Sequence, residues 1–215
     1  MQFGDEKVAA VFAEYEERLS AEHERMRALA PGTLGQHRDE FLLPLGEEAA
    51  GFLHALALAR KPGRILELGT SYGYSTLFFA DAARQCGAQV VSVDLDASKQ
   101  AYAREMLEKA GLADFVEFRC GDAIAIAKAD PGPFELVLLD IWKDVYVPCF
   151  EAVYPKLSDE GIVASDNMIY PEGVRDSARA LREAIHAKPD LQTALLPVGQ
   201  GIELTVKWSA GNEKL

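Results

Sequence analysis

Two apolar runs in the second half of the chain end in oxygen donors, Leu138-Leu139-Asp140 and Ala164-Ser165-Asp166-Asn167. If the runs are neighbouring parallel strands, two carboxylates and an amide oxygen meet at one end of a sheet. Hard oxygen donors of this kind suit Mg²⁺, Ca²⁺ or Mn²⁺ rather than zinc. Asp140, Asp166 and Asn167 are therefore candidate metal ligands. Three protein oxygens leave positions on an octahedral ion for a water and a substrate with two adjacent oxygens. A lone Asp at a strand end is ordinarily a helix cap or a solvated turn residue. Three donors at adjacent strand ends are not explained that way, whereas Asp144 reads as a cap. Lys143, beside the cation site, is the candidate general base; its bland alternative is a surface lysine lying over Trp142. Trp142 and Asn167 are candidate substrate contacts, Trp142 flanking a planar ring or simply packing. Tyr146, one turn after Lys143, reads as a packing residue.

A second constellation is Glu67-Leu68-Gly69-Thr70-Ser71-Tyr72-Gly73-Tyr74-Ser75, followed by the apolar stretch Thr76-Leu77-Phe78-Phe79-Ala80. Gly69 and Gly73 let the backbone turn sharply and approach a ligand. Ser75 can help start a helix, whose free N–H groups attract anionic groups. Asp94 follows at the roughly 20-residue offset at which a carboxylate accepts hydrogen bonds from ribose hydroxyls. The glycines are not spaced as GxGxxG, and Glu67 at the strand end suits an amino group better than a pyrophosphate. A turn without any ligand is the plainer alternative.

These residues need a scaffold that brings strand ends together. Apolar runs at 64–68, 89–94, 115–120, 136–140 and 161–166 alternate with helical stretches at 75–86, 97–110, 122–129 and 145–156. Continuous apolar strands separated by helices argue for a parallel sheet covered on both faces. A helix near 173–187 precedes two strands, 193–197 and 201–208, joined too tightly for a crossover and so antiparallel. The expected fold is α/β, a Rossmann-like doubly wound sheet, mostly parallel with an antiparallel edge. Ligands in such sheets bind beyond the carboxyl ends of the strands. Ahead of the core at 61–215, residues 1–60 read as helical. One amphipathic helix spans 5–30, ended by Pro31 and Gly32, and another spans 46–60. The 215 residues suit one domain.

The net charge of -12 repels phosphate backbones and argues against a nucleic-acid partner. No apolar run approaches the roughly 18 to 20 residues of a membrane span, and the N-terminal residues lack a signal-peptide core. Cys86, Cys120 and Cys149 form no paired motif and read as reduced thiols. A cytoplasmic location is expected.

Residues 67–75 resemble the first motif of class I S-adenosylmethionine-dependent methyltransferases. Within that class they are most similar to the cation-dependent O-methyltransferases (catechol, caffeoyl-coenzyme A and bacterial family 3 enzymes). Asp140-Ile141-Trp142-Lys143-Asp144-Val145-Tyr146 is very similar to the segment of the catechol enzymes, and Asp166-Asn167 matches the other two metal ligands of the family. The resemblance runs from about Phe41 to Asn167, and more weakly to Trp208. It implies S-adenosylmethionine as cofactor, with Gly69, Ser71 and Ser75 at its methionine part and Asp94 at the ribose. It also implies Asp122 and Ala123 against the adenine, Ile141 on the other side, and Leu45 lining the pocket. Glu67 and Asp140 count with the cofactor site as well. A divalent metal, a vicinal dihydroxy phenolic acceptor and a homodimer follow from the same resemblance.

One family feature is missing. No acid stands near 191–195, where the catechol enzymes anchor a second hydroxyl, and Glu203 reads as structural or as an edge-strand charge. The loop at 168–174 differs in detail, with Tyr170 and Glu172 as candidates to shape an acceptor pocket. The acidic surface argues against a coenzyme A ester. Two competing readings stay open: a noncatalytic cofactor-binding protein of the same fold, and a nicotinamide-dependent oxidoreductase.

Overall fold

The structure is a computed structural model that describes residues 3–30, 33 and 36–208, and the side chain of Arg38 is not among what it describes. The first helix, α1 (Glu6–Ala28), starts because the Asp5 carboxylate accepts hydrogen bonds from the Lys7 and Val8 amides. Its buried residues Val8, Val11, Tyr15, Leu19 and Glu22 recur every three or four positions and form one stripe. The helix ends two residues short of the expected limit, and Pro31 and Gly32 lie outside the described residues. The second helix, α2 (Glu47–Arg60), closes on Lys61 in the left-handed conformation.

The core then alternates β1 (Arg64–Leu68), α3 (Tyr74–Cys86), β2 (Gln89–Asp94), α4 (Ala97–Ala110), β3 (Val116–Cys120), α5 (Ala123–Ala129), β4 (Phe134–Leu139), α6 (Tyr146–Val153), β5 (Leu157–Ser165), α7 (Arg175–His186), β6 (Leu191–Leu196) and β7 (Ile202–Lys207). The strands form one sheet in the order β3-β2-β1-β4-β5-β7-β6. The first five are parallel to one another, and β7 runs antiparallel to both β5 and β6. The hairpin expected at the C-terminal end is present, but the reversed strand is inserted. β7 lies inside, and β6 takes the margin running the same way as the first five.

The two faces of the sheet carry different helices. Ile65, Val90, Leu136, Leu138 and Ile162 pack with residues of α1 to α4. Leu66, Val91, Val137, Leu139 and Val163 pack with α5, α6 and α7. Alternate residues of each strand thus enter opposite cores, which is why the strands read as continuous apolar runs. The strand order reverses between β1 and β4, the point where ligands sit in doubly wound sheets. Among the described residues no helix is long and apolar enough to cross a membrane.

Candidate active site

Register places the predicted donors at one level. Leu68 pairs with Leu139, and Leu139 with Ser165. The next residues, Gly69, Asp140 and Asp166, therefore leave three adjacent strands together. Each strand ends at the residue before its Asp rather than on it, so both carboxylates stand just past the sheet. The ends are tied by main-chain hydrogen bonds, from Asp140 N–H to Leu68 O (2.9 Å) and from Asp166 N–H to Leu139 O (3.0 Å).

The turn after β1 is held by a buried polar network. Glu67 is fully buried, with Oε1 accepting from Ser75 Oγ and Oε2 from Thr76 Oγ1 and Ser92 Oγ, each at 2.6 Å. The chain of donors continues from Gln100 Nε2 to Thr70 Oγ1 (3.0 Å) and on to Ser92 Oγ (2.6 Å). Glu67 accepts three bonds and donates none, so the network calls for the carboxylate. Burial pushes that group up to about 7, with the Ser75, Ser92 and Thr76 bonds opposing and Asp140 adding to the rise. Glu67, the candidate contact for an amino group, holds the turn from within. Ser75, the candidate helix-start residue, is part of the same network. The N-cap of α3 is Gly73, and the Ser75 hydroxyl is committed to Glu67.

What the turn offers outward is main chain. The first helical bond of α3 is Leu77 N–H to Gly73 O (3.0 Å), which leaves earlier amides of the first turn for an anionic group. Gly69 has φ +111°, and a Cβ there would sit 1.9 Å from the Asp140 carbonyl oxygen. Ser71 has φ +46°, and its N–H donates to Asp94 Oδ2 (2.7 Å), while Asp94 Oδ1 accepts from Asp96 N–H (2.9 Å). Asp94 thereby faces a cleft of about 460 Å³ whose lining includes Asp39, Leu95, Lys99 and Trp142. Asp122 is exposed and caps α5 by accepting from Ala125 N–H (2.7 Å). Ala123 and Ile141 are both half-buried against the same apolar cluster. Leu45 is buried in the core with α2, and the exposed side chain of its segment is Leu43.

At the ends of β4 and β5 the two carboxylates differ. Asp140 is half-buried, whereas Asp166 is 1% exposed and its Oδ1 has no hydrogen-bond partner. Burial, then the charge of Asp140, pushes the Asp166 carboxyl up to about 8. A buried carboxylate oxygen without a donor, beside a second carboxylate, is costly unless a cation meets it. Asn167 follows with φ +56° and donates Nδ2 to Gln200 Oε1 (2.7 Å). Among the described residues no group of three or more His, Cys, Asp or Glu side chains is arranged to hold a metal. The donor set here is two carboxylates and an amide.

Lys143 bridges to this set, with Nζ 3.4 Å from Asp140 Oδ1 and hydrogen-bonded to the Tyr146 hydroxyl. Tyr146 is buried and lies 3.1 Å from both the Leu139 and the Asp166 carbonyl oxygens, so it does more than pack. Asp144 does not cap α6; the N-cap is Val145 and no side chain bonds the helix start. Trp142 is 52% exposed and Tyr170 58%. Glu172 pairs with Arg175 at 2.9 Å. Glu203 is fully buried, accepts from Thr193 Oγ1 (2.7 Å) and lies 3.1 Å from Arg182 Nε, a structural role on an internal strand.

Sequence reasoning missed Ser92, Thr70, Gln100, Tyr146 and Gln200. One signal was available for Ser92, the single hydroxyl inside the apolar run Val90-Val91-Ser92-Val93, which lies opposite Glu67 in the register. The others depend on contacts between distant segments.

A family model described as O-methyltransferase matches residues 16–208. A catechol O-methyltransferase of Niastella koreensis is 34% identical over 130 residues, 58% of each chain. Caffeoyl-CoA O-methyltransferase 5 of Nicotiana tabacum is 26% identical over 184 residues, 76% of each chain. Among solved structures, the O-methyltransferase TomG of Streptomyces achromogenes, in complex with S-adenosylmethionine, superposes with a TM-score of 0.71 at 25% identity. That match covers 91% of this chain and 99% of TomG. A match over most of its length, on a sheet whose strand ends carry the motifs described above, means that this chain belongs to the S-adenosylmethionine-dependent O-methyltransferase family.

Proposed function

We propose that this O-methyltransferase transfers the sulfonium methyl of S-adenosylmethionine to one hydroxyl of a small vicinal dihydroxy phenol, assisted by a divalent cation, Mg²⁺ first among Mg²⁺, Ca²⁺ and Mn²⁺. The observation that carries the metal half is the orphaned, buried Oδ1 of Asp166 beside Asp140. Asp140, Asp166 and the amide oxygen of Asn167 are the residues to hold the ion, and their chemistry fits a hard cation. Such a cation, when bound, stabilises negative charge on a hydroxyl oxygen and selects a substrate with two neighbouring oxygens.

The protein contributes position and charge. Amides at the start of α3 and the carboxylate of Asp94 are suited to the two polar ends of the cofactor, its amino-acid carboxylate and its ribose hydroxyls. Gly69 permits close approach between those contacts and Asp140. Lys143 Nζ, steered by Asp140 and the Tyr146 hydroxyl, is the base placed to take the proton of the attacking hydroxyl. Exposed Trp142, on the cleft shared with Asp94, gives a planar ring a surface to lie on. The net charge of -12 disfavours a phosphate-bearing coenzyme A ester and nucleic acid as acceptors. A homodimer in the cytoplasm completes the reading, and light scattering at micromolar concentration tests the dimer.

The test is a screen of vicinal diphenols with S-adenosylmethionine, with and without Mg²⁺, the methylated position being read by NMR. Asp140→Asn is expected to lower turnover by at least 10²-fold while leaving the melting temperature within a few degrees. Full activity in excess EDTA would sink the metal half; cofactor binding without turnover across the panel would favour a noncatalytic binding protein.

A further inference from the structure

The loop after β5 is zipped onto the turn between β6 and β7. Met168 N–H donates to Gly201 O (2.9 Å), and the Ile169 and Tyr170 amides both donate to Gln200 O (3.0 Å each). Gly201 makes the approach possible: at φ +98°, a Cβ there would lie 2.5 Å from Ile169 Cγ1 and 2.8 Å from Ile169 N. The Gln200 side chain adds one bond of a different kind, accepting at Oε1 from Asn167 Nδ2 (2.7 Å). Asn167 itself sits in the left-handed region, φ +56°, which asparagine adopts more readily than other non-glycine residues.

From this contact we infer that Gln200 is a positioning residue for the cation site. An amide side chain has one oxygen and one nitrogen, and only the oxygen can ligate a cation. A Gln200 oxygen that accepts from the Asn167 nitrogen leaves the Asn167 oxygen turned away from Gln200. The Asn167 oxygen is then the atom of that amide left to ligate a cation. Without the bond, the amide of Asn167 rotates freely between a ligating and a non-ligating arrangement. The inference rests on the proposed cation site, and it concerns a residue that acts through Asn167.

Two substitutions separate orientation from folding. Gln200→Ala removes the acceptor but keeps the main-chain carbonyl that holds Ile169 and Tyr170. Gln200→Glu keeps an acceptor and removes the side-chain amide that would be needed if the pair were reversed. Mn²⁺ binding, followed by the loss of the free-ion EPR signal, is the readout, with melting temperature and the split between kcat and acceptor KM beside it. Partners that orient metal ligands are worth roughly 10 to 100-fold in affinity. Gln200→Ala is expected to weaken Mn²⁺ by about that factor with an unchanged melting temperature, and Gln200→Glu to restore binding to within about threefold of the parent. Unchanged Mn²⁺ affinity in Gln200→Ala overturns the inference alone. So does a Gln200→Glu variant that binds as poorly as Gln200→Ala. An unsubstituted chain that binds no Mn²⁺ overturns the cation site itself, and this inference with it.

Discussion

Gly69→Ala should damage the cofactor site far more than its single methyl suggests. The added Cβ would lie 1.9 Å from the Asp140 carbonyl oxygen and 2.7 Å from its carbonyl carbon. Carbon and oxygen atoms do not approach within about 3.0 Å without repulsion, so the two turns must separate by roughly 1 Å. Nothing flexible is available to yield, because the obstacle is main chain tied to Leu68 O by the Asp140 N–H (2.9 Å). Overpacking of this kind costs about 1–3 kcal/mol, and an L-residue at φ +111° adds roughly the same again. At roughly 2–4 °C per kcal/mol for a chain this long, the melting temperature should fall by about 5–20 °C. A displacement near 1 Å between the cofactor turn and Asp140 should also lower turnover on the order of 10²-fold. Gly87 supplies the control, since at φ +77° a Cβ there meets nothing within 4 Å. Gly87→Ala should cost only about 1 kcal/mol and leave catalysis intact. S-adenosylhomocysteine affinity by calorimetry, thermal melting and methyl transfer on both variants decide the matter. A Gly69→Ala protein that melts and binds like Gly87→Ala would refute the claim that these strand ends are rigidly apposed.

Asp130 anchors the opposite end of the sheet, its side chain 1% exposed, with Arg64 bridging both oxygens at 2.7 Å and Arg119 at 2.6 Å from Oδ2. Burial alone would raise its pKa, but Arg64, the Gly132 amide and Arg119 outweigh it and hold the carboxyl down at about 2, below the ordinary 3.8. The depressed value stabilises the fold above pH 3.8, and that contribution, about 2 kcal/mol, is lost as pH falls through 2. Urea unfolding of Asp130→Asn should show a cost of about 3–5 kcal/mol at pH 7 and a flatter acid limb than the parent; parallel limbs would count against the pairing. Ser92→Ala should cost about 1–3 kcal/mol, because Glu67 loses one donor and the Thr70 hydroxyl loses its acceptor. It should also weaken S-adenosylhomocysteine, since the turn that carries the helix-start amides relaxes. Unchanged stability and affinity would mean the network is not what fixes the turn.

The chemistry-bearing strand ends were legible because local pattern fixes them. Continuous apolar runs between helices imply strands buried on both faces of a parallel sheet, whose carboxyl ends all lie at one edge. Asp140, Asp166 and Asn167 follow those runs directly, so a reader of the sequence could bring them together without knowing any contact. The turn at 67–75 was legible for a similar reason, as glycine spacing reports backbone conformation.

Sequence alone thus determined the order of elements, the antiparallel C-terminal pair and which side chains stand at the carboxyl end of the sheet. Tertiary structure decided what each of those side chains does. Glu67 and Ser75, read as ligand contacts, face each other inside the network. Tyr146, read as packing, touches Lys143 and the carbonyls at the ends of two strands. Gln200, not singled out at all, reaches Asn167 across 33 residues of chain. Periodicity reports which face of an element is buried, but a hydrogen bond between distant segments depends on how two turns meet, and no local pattern encodes that meeting.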